Sequence, residues 1–421
     1  MLKKLAFVYF LLLSLITYIP NWDIIDAKGS HWLALGIANT VTLIFIFFFS
    51  KNQSFKFLKN KIFQSFLIFF LISLISLTYA LNPLEGLTKI TDLFSILTSL
   101  IIVLHFVDTN SINKNYLLYF ILLSLTIDII LISIQYFTIT NRIDFTFEQS
   151  NLIRGMYGNK NIAAVSIMLK LILSQVLIQS NKFIYLKYYI LTITTISFYV
   201  IFLLSSRTVF LAMIVCLVFL SFIILLKKIF YRQNIKNELF NSLNFLLPLI
   251  LSLIFFSFSS IKDDQISLQN RVSSMVEFEG NESASQRLRF YSSAFEYIKT
   301  NPILGCGIGN WRILSIKYDS QYIFSYVVPY FAHNDFIEIL AEVGIFGFLA
   351  YLMFFFFIFK LNFKKLLMWI KNKAPFESIL LTCFLIIYII DANLNFPLDR
   401  PVIQTSLIIY IAILLIGDKN I

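Results

Sequence analysis

Residues 205–228 read SSRTVFLAMIVCLVFLSFIILLKK. From Thr208 to Leu226 no residue carries a charge. About 19 residues of helix rise ~28 Å, close to the ~30 Å hydrocarbon core of a bilayer. The run has no polar face, so it reads as a membrane span and not as an amphipathic surface helix. Arg207 marks one end; Lys227 and Lys228 mark the other.

The same pattern repeats outward in both directions. Of the 421 residues 58% are hydrophobic and 14% charged, against roughly a quarter charged in a soluble domain. Apolar runs fall near 5–20, 32–50, 62–81, 90–107, 116–138, 161–179, 187–205, 208–226, 242–258, 336–359, 376–391 and 402–416. The chain is therefore expected to be an all-α integral membrane protein of about twelve transmembrane helices. Lys3 and Lys4 before the first run resemble a signal peptide. No small-x-small cleavage site follows, so that run is expected to stay as a span.

The net charge of +11 is a topology signal. Lys51, Lys56, Lys59 and Lys61, then Lys227 and Lys228, then Lys360, Lys364 and Lys365 crowd one set of loops. The opposite short loops hold only Lys28, Lys89, Arg142, Arg154, Lys160, Arg207 and Arg400. The positive-inside rule then puts both termini in the cytoplasm, and no nucleic-acid partner is expected. Of the three cysteines, Cys216 and Cys383 fall in spans. Cys306 stands alone in an outer loop, which leaves it no intrachain disulfide partner there.

Residues 259–332 form the long outer loop. Loops of this length are usually functional. A helix is expected near 284–299, ended by Asn301-Pro302. Arg287, Tyr291, Ala294 and Ile298 share its packed stripe, with Leu288 and Phe295 adjoining; Arg289, Ser293 and Glu296 fall on the solvated side. A second helix is expected to start near Asn334 or Asp335 and to continue into the tenth span.

Candidate chemistry gathers on the outer side. Arg207 sits at the lip of two spans, where a guanidinium either snorkels to headgroups or binds phosphate. Arg154 precedes the sixth span and Arg287 lies in the long loop; three converging arginines would suit a diphosphate. Of the three histidines, His105 falls on the cytoplasmic side and His31 at the start of the second span. His333 stands where the long loop re-enters the membrane, and a neutral imidazole can take a hydroxyl proton. Asp335 and Glu338 read as capping residues. Glu342 lies deeper and needs a partner. Gly305, Gly307 and Gly309 read as a tight turn. No Cys/His cluster or paired-acid metal motif is present, and no metal or cofactor is expected. Asp128 and Lys170, both mid-span, could meet as an ion pair or line a proton path.

These outer segments resemble the O-antigen ligase and O-antigen polymerase family. His333-Asn334, nine residues, then Gly344-Ile345-Phe346-Gly347 is similar to the ligase pattern of His, Asn/Ser/Gln, nine residues, Gly, two residues, Gly/Thr/Tyr. The stretch Arg154–Asn161 resembles the family's Arg-x-Gly-x-x-x-Asn, with Lys160 where Pro is common. Ser206-Arg207-Thr208, Arg287-Leu288 with Tyr291 in place of Trp, and the Asn301–Asn310 glycine turn follow in order. The resemblance spans about 150 to the C-terminus. It divides the chain into N-terminal transmembrane helices (1–150) and a ligase-like region (151–421) that contains loop 259–332.

The resemblance implies a glycosyltransferase C-like membrane fold in the bacterial cytoplasmic (inner) membrane. It implies a metal-independent glycosyltransferase that moves a glycan from an undecaprenyl diphosphate carrier to a glycolipid or glycan acceptor at the periplasmic face. It implies that Arg207, Arg287 and Arg154 hold the diphosphate, that His333 is the catalytic base or orienter, and that Asn334 and Glu342 support the site. An O-antigen ligase is the favoured reading. An O-antigen or exopolysaccharide polymerase and a protein O-oligosaccharyltransferase are the alternatives, and a transporter or flippase is a more distant one.

Overall fold

The computed structural model describes residues 1–20, 28–49, 56–141, 145–180, 183–231, 236–258, 282–322 and 330–416. Residues 259–281 and 323–329 of the expected outer loop lie outside this set, as do Lys51 and Arg142. Among the described residues the structure is all-helical, with no strand. In chain order the α-helices are α1 (Leu2–Leu15), α2 (Gly29–Phe49), α3 (Lys61–Ser76), α4 (Pro83–Asp108), α5 (Lys114–Thr140), the short α6 (Phe147–Ser150), α7 (Lys160–Ser180), α8 (Ile184–Leu204), α9 (Arg207–Tyr231), α10 (Lys236–Phe258), α11 (Glu282–Thr300), α12 (Trp311–Asp319), α13 (Asp335–Ile370), α14 (Glu377–Leu394) and α15 (Pro401–Leu415).

Each expected apolar run forms a helix. Nine of them, among the described residues, are long and apolar enough to cross a membrane. The other three, α1, α3 and α15, are apolar helices of 14, 16 and 15 residues. The closely spaced pair α8 and α9 is separated by Ser205 in the left-handed conformation (φ 50°) and by Ser206. Ser205 N–H closes α8 on the Ile201 carbonyl at 3.2 Å, and the chain reverses before Arg207. Several boundaries differ from expectation, two of them at lysines. The lysine-rich segment expected as loop 360–375 is helical up to Ile370. Lys89, expected in an outer loop, sits in the second turn of α4.

Burial sorts the helices. Every residue of α15 is buried, as is most of α7, so both run through the centre of the bundle. A helix that is apolar all round needs such a position. α2, α9 and α10 instead expose large side chains such as Phe48, Phe222 and Phe255 on their outer faces, which suits acyl chains. α13 packs along α3, α5 along α7, α10 along α8, and α14 against α7 and α9.

Asp128 of α5 and Lys170 of α7 meet in the interior at 2.7 Å. The Tyr157 hydroxyl donates to Asp128 Oδ2 at 2.8 Å, and the Tyr18 hydroxyl lies 2.9 Å from Oδ1. Lys170 Nζ also donates to Tyr157 Oη at 2.8 Å, and Ser166 donates to the same oxygen at 3.0 Å. All the charge in this cluster is matched from within, the arrangement a buried ion pair needs.

Candidate active site

The helix expected in the long loop runs Glu282–Thr300 and ends before Asn301-Pro302, as the sequence suggests. Its packed face carries Phe290, Ala294, Tyr297 and Ile298, with Arg287 and Tyr291 half-buried beside them. Three positions depart from the expected stripe. Leu288 and Phe295 are exposed, and Ser293 is buried. Arg289 is not simply solvated: its Nε lies 2.8 Å from Asp319 Oδ1 of α12. The helix buries a wider arc than one stripe because α12 and α13 both pack on it.

The glycine turn 305–309 is threaded into a break in α13. Gly344 takes φ 68° and ψ −169°, which an L side chain rarely adopts. A Cβ there would stand 1.9 Å from the Ile303 carbonyl oxygen. The break frees backbone groups that the turn then satisfies. Ile345 N–H donates to Pro302 O at 3.0 Å, Cys306 N–H to Ala341 O at 3.0 Å, and Gly307 N–H to Glu342 O at 2.8 Å. The missing partner of Glu342 is backbone too: its Oε1 accepts from Trp311 N–H at 3.0 Å. Glu342 thus fixes the turn and does not line the cavity described below.

Asn334 is the N-cap of α13, and its side chain accepts from Phe336 and Ile337 N–H at 3.0 and 3.1 Å. Glu338 Oε2 accepts from Ala332 N–H at 2.8 Å. Asp335 accepts from Leu398 N–H at 3.0 Å and so ties the 397–400 turn to the start of α13. Between these anchors His333 is held at φ 56°. A left-handed non-glycine residue costs on the order of 1–3 kcal/mol and persists only where its surroundings enforce it. The Tyr291 hydroxyl lies 2.8 Å from Asn393 O and 3.1 Å from His333 O.

His333 faces a cavity of about 160 Å³ shared with Asn159, Asn161, Gln286, Arg287, Phe290, Asn395, Phe396 and Arg400. Its ring stacks on Phe290 at 5.9 Å and meets Phe396 edge-on at 5.2 Å. Arg400 lies over Phe396, with Cζ 4.2 Å from the ring centroid. Arg400 Nε and Nη1 and His333 Nδ1 are buried with no hydrogen-bond partner among the described residues. Burial, then the Arg287 and Arg400 charges, push His333 down to about 4. Burial also lowers Arg287 and Arg400, with Asp391 acting as countercharge to both. Guanidinium groups nonetheless stay protonated.

The sequence-derived residues divide accordingly. His333 and Arg287 line one cavity. Arg207 stands close enough for its charge to act on Arg287, but it is not among the lining residues. Arg154 is exposed, with Nη1 donating to Gly158 O at 3.1 Å, and it does not line the cavity. Its stretch contributes Asn159 and Asn161 instead. The residue that sequence reasoning missed is Arg400. Its signal was present: it is an arginine at the lip of a helix without a charged residue, the same argument that singled out Arg207.

A family model described as O-antigen ligase matches residues 192–352. These residues are similar to an O-antigen ligase domain. The domain contains Arg207, Arg287, His333, Asn334, Glu342 and Gly344; Arg154 and Arg400 lie outside it. The protein is a multi-pass membrane protein with a glycan-transfer function of the O-antigen ligase and polymerase type. No curated protein matches the chain.

Proposed function

We propose that this O-antigen ligase-type protein transfers a glycan from an undecaprenyl diphosphate carrier to an acceptor hydroxyl at the periplasmic face of the bacterial inner membrane, with both termini cytoplasmic. The observation that carries the reading is the cavity, where buried guanidinium N–H groups and an imidazole nitrogen lack partners among the described residues. Buried polar groups are nearly always bonded, so such a set fits an anionic ligand with many acceptor oxygens. A diphosphate matches the guanidinium fork.

In this reading Arg287 and Arg400 hold the diphosphate, and Arg207 adds charge from the rim. The acceptor oxygen attacks the anomeric carbon, and the carbon–oxygen bond to the diphosphate breaks. The leaving lipid diphosphate keeps the bonding pair, and the arginines stabilise the charge it gains. His333 takes the acceptor proton. Burial, and then the Arg287 and Arg400 charges, depress its basicity. A bound diphosphate opposes the arginine charges and so raises that basicity in part, which strengthens the base when the donor is in place. Asn334 and Glu342 hold the scaffold. Arg154 shapes the segment that carries Asn159 and Asn161. The lipid acceptor of a ligase is favoured over the glycan acceptor of a polymerase.

The reading is tested with purified protein, lipid-linked glycan and candidate acceptors. Transfer by the wild type and loss of transfer in His333→Ala, with donor binding retained, is the expected result. An active His333→Ala protein would remove the histidine from the reaction.

A further inference from the structure

At the end of the bundle away from His333, α1, the start of α5 and Ile416 after α15 enclose a pocket of about 660 Å³. Helix α5 fixes where it lies. Its far end reaches the segment beside the catalytic cavity, where Gln135 Oε1 accepts from Arg154 and Gly155 N–H at 3.1 and 2.9 Å. The pocket lies at its near end, around Lys114 and Leu117. From Lys114 to Gln135 the helix rises about 32 Å, close to the ~30 Å hydrocarbon thickness of a bilayer. The pocket and the catalytic cavity therefore lie at opposite faces of the membrane.

The lining divides into two parts. The floor is apolar, with Ala6, Phe10, Leu117 and the pair Phe7 and Phe120, whose rings meet edge-on at 4.8 Å. The rim carries Lys3, Lys114, Ser111 and the carboxamides of Asn110, Asn113 and Asn115. Among the described residues no Asp or Glu lines it. Lys114 Nζ lies 2.6 Å from Glu377 Oε2, which occupies one of its three donors. Lys3 is exposed and forms no ion pair among the described residues. Asn113 caps α5 through Oδ1, which accepts from Asn115 N–H at 2.9 Å. Helix α1 starts at Leu2 and α5 at Lys114, so both bring their partly positive N-terminal ends to the rim.

This lining matches a ligand with an anionic head rich in acceptor oxygens and an apolar tail. A path for the tail adjoins the floor. Tyr116, Leu123 and Ile130 of α5 are all exposed, at a spacing of seven residues that keeps them on one side of the helix. The stripe rises about 21 Å from the rim, more than half of the ~30 Å hydrocarbon core. An acyl chain can follow it across one leaflet.

We propose that this pocket binds an anionic glycerophospholipid of the leaflet opposite the catalytic cavity, which is the cytoplasmic leaflet in the topology given above. The phosphate meets Lys3, Lys114 and the carboxamide N–H groups of the rim, and an acyl chain follows the Tyr116–Ile130 stripe. The site goes beyond the glycan-transfer reading and does not depend on it.

Native mass spectrometry of the full-length protein in detergent tests it. The probes are dioleoyl phosphatidylglycerol and dioleoyl phosphatidylcholine, which share their acyl chains and differ in net charge. Phosphatidylglycerol is expected to bind at least fivefold more tightly. Asn115→Asp puts a carboxylate at the rim and in the first turn of α5, where an acid favours the helix, so the variant should fold. It should lower phosphatidylglycerol affinity at least fivefold and leave phosphatidylcholine affinity unchanged. Lys3→Gln, at an exposed position, should lower phosphatidylglycerol affinity about threefold. Equal affinity for the two phospholipids would overturn the site, as would phosphatidylglycerol binding that ignores both variants. Displacement of phosphatidylglycerol by an equimolar amount of undecaprenyl phosphate would give the pocket to a polyprenyl lipid and overturn the phospholipid assignment.

Discussion

Two buried polar clusters in this molecule look alike in sequence and differ in structure. Around Asp128 and Lys170, every charged or hydroxyl group finds a partner within 3.0 Å inside the protein. Around His333 and Arg400, a ring nitrogen and two guanidinium nitrogens find none among the described residues. Both clusters join several helices, and both carry full charges away from water. The closed cluster lowers the cost of its own burial; the open one leaves that cost to be offset by a ligand. Unmatched donors around a cavity therefore point to function more sharply than buried charge does by itself.

The largest expected effect separates the two clusters by kind. His333→Ala should lower the transfer rate by ~10²–10⁴-fold, the range for a general base, with little change in melting temperature. A loss under tenfold in a steady-state assay would reduce His333 to a positioning role. The closed cluster should behave in the opposite way. Lys170→Met leaves Asp128 buried and unpaired, and should cost ~3–5 kcal/mol of stability. Adding Asp128→Asn should recover part of it. Chemical denaturation checks this, and donor affinity per folded molecule should not move.

Arginine replacements give an intermediate effect. Arg287→Ala should weaken donor binding by roughly 1.5–3 kcal/mol, the scale of a charge-assisted hydrogen bond. Arg287→Lys should recover only part, because a point charge replaces a fork. A pH titration is subtler. Transfer needs neutral His333, and burial with the Arg287 and Arg400 charges holds the ring down to about 4. The kcat/KM profile, which reports the free enzyme, should stay flat as pH falls from 8 to 5 and drop only toward 4. The kcat profile, which reports the donor complex, should drop at higher pH because the diphosphate opposes the arginine charges. Coincident profiles would remove the proposed link between donor binding and basicity. Arg154→Ala should be the smallest change, under about twofold in rate, as its side chain is exposed and outside the cavity.

Much of this was legible in the sequence because membrane helices are written locally. Apolar run length fixed where the helices lie, and Asn301-Pro302 fixed where the long-loop helix stops. The ion pair of Asp128 and Lys170 was legible because isolated mid-span charges have few places to go. The break at Gly344 was not legible as a break. It depends on the 302–310 turn, far away in sequence, reaching the carbonyls of Ala341 and Glu342. Arg400 was passed over for a similar reason: its place in the cavity comes from the Asp335 bond to Leu398 N–H, a contact that no local pattern encodes. Arg289 was read as solvated because its partner, Asp319, lies on another helix.

The central claim is that the cavity beside His333 holds a diphosphate, and Arg400 tests it best because it lies outside both the matched domain and the family motifs. Binding of undecaprenyl diphosphate to the purified protein should be compared between wild type and Arg400→Ala by native mass spectrometry, with melting temperature measured alongside. At least a tenfold loss of affinity at unchanged melting temperature is the expected result. Wild-type affinity in a folded Arg400→Ala protein would contradict the account.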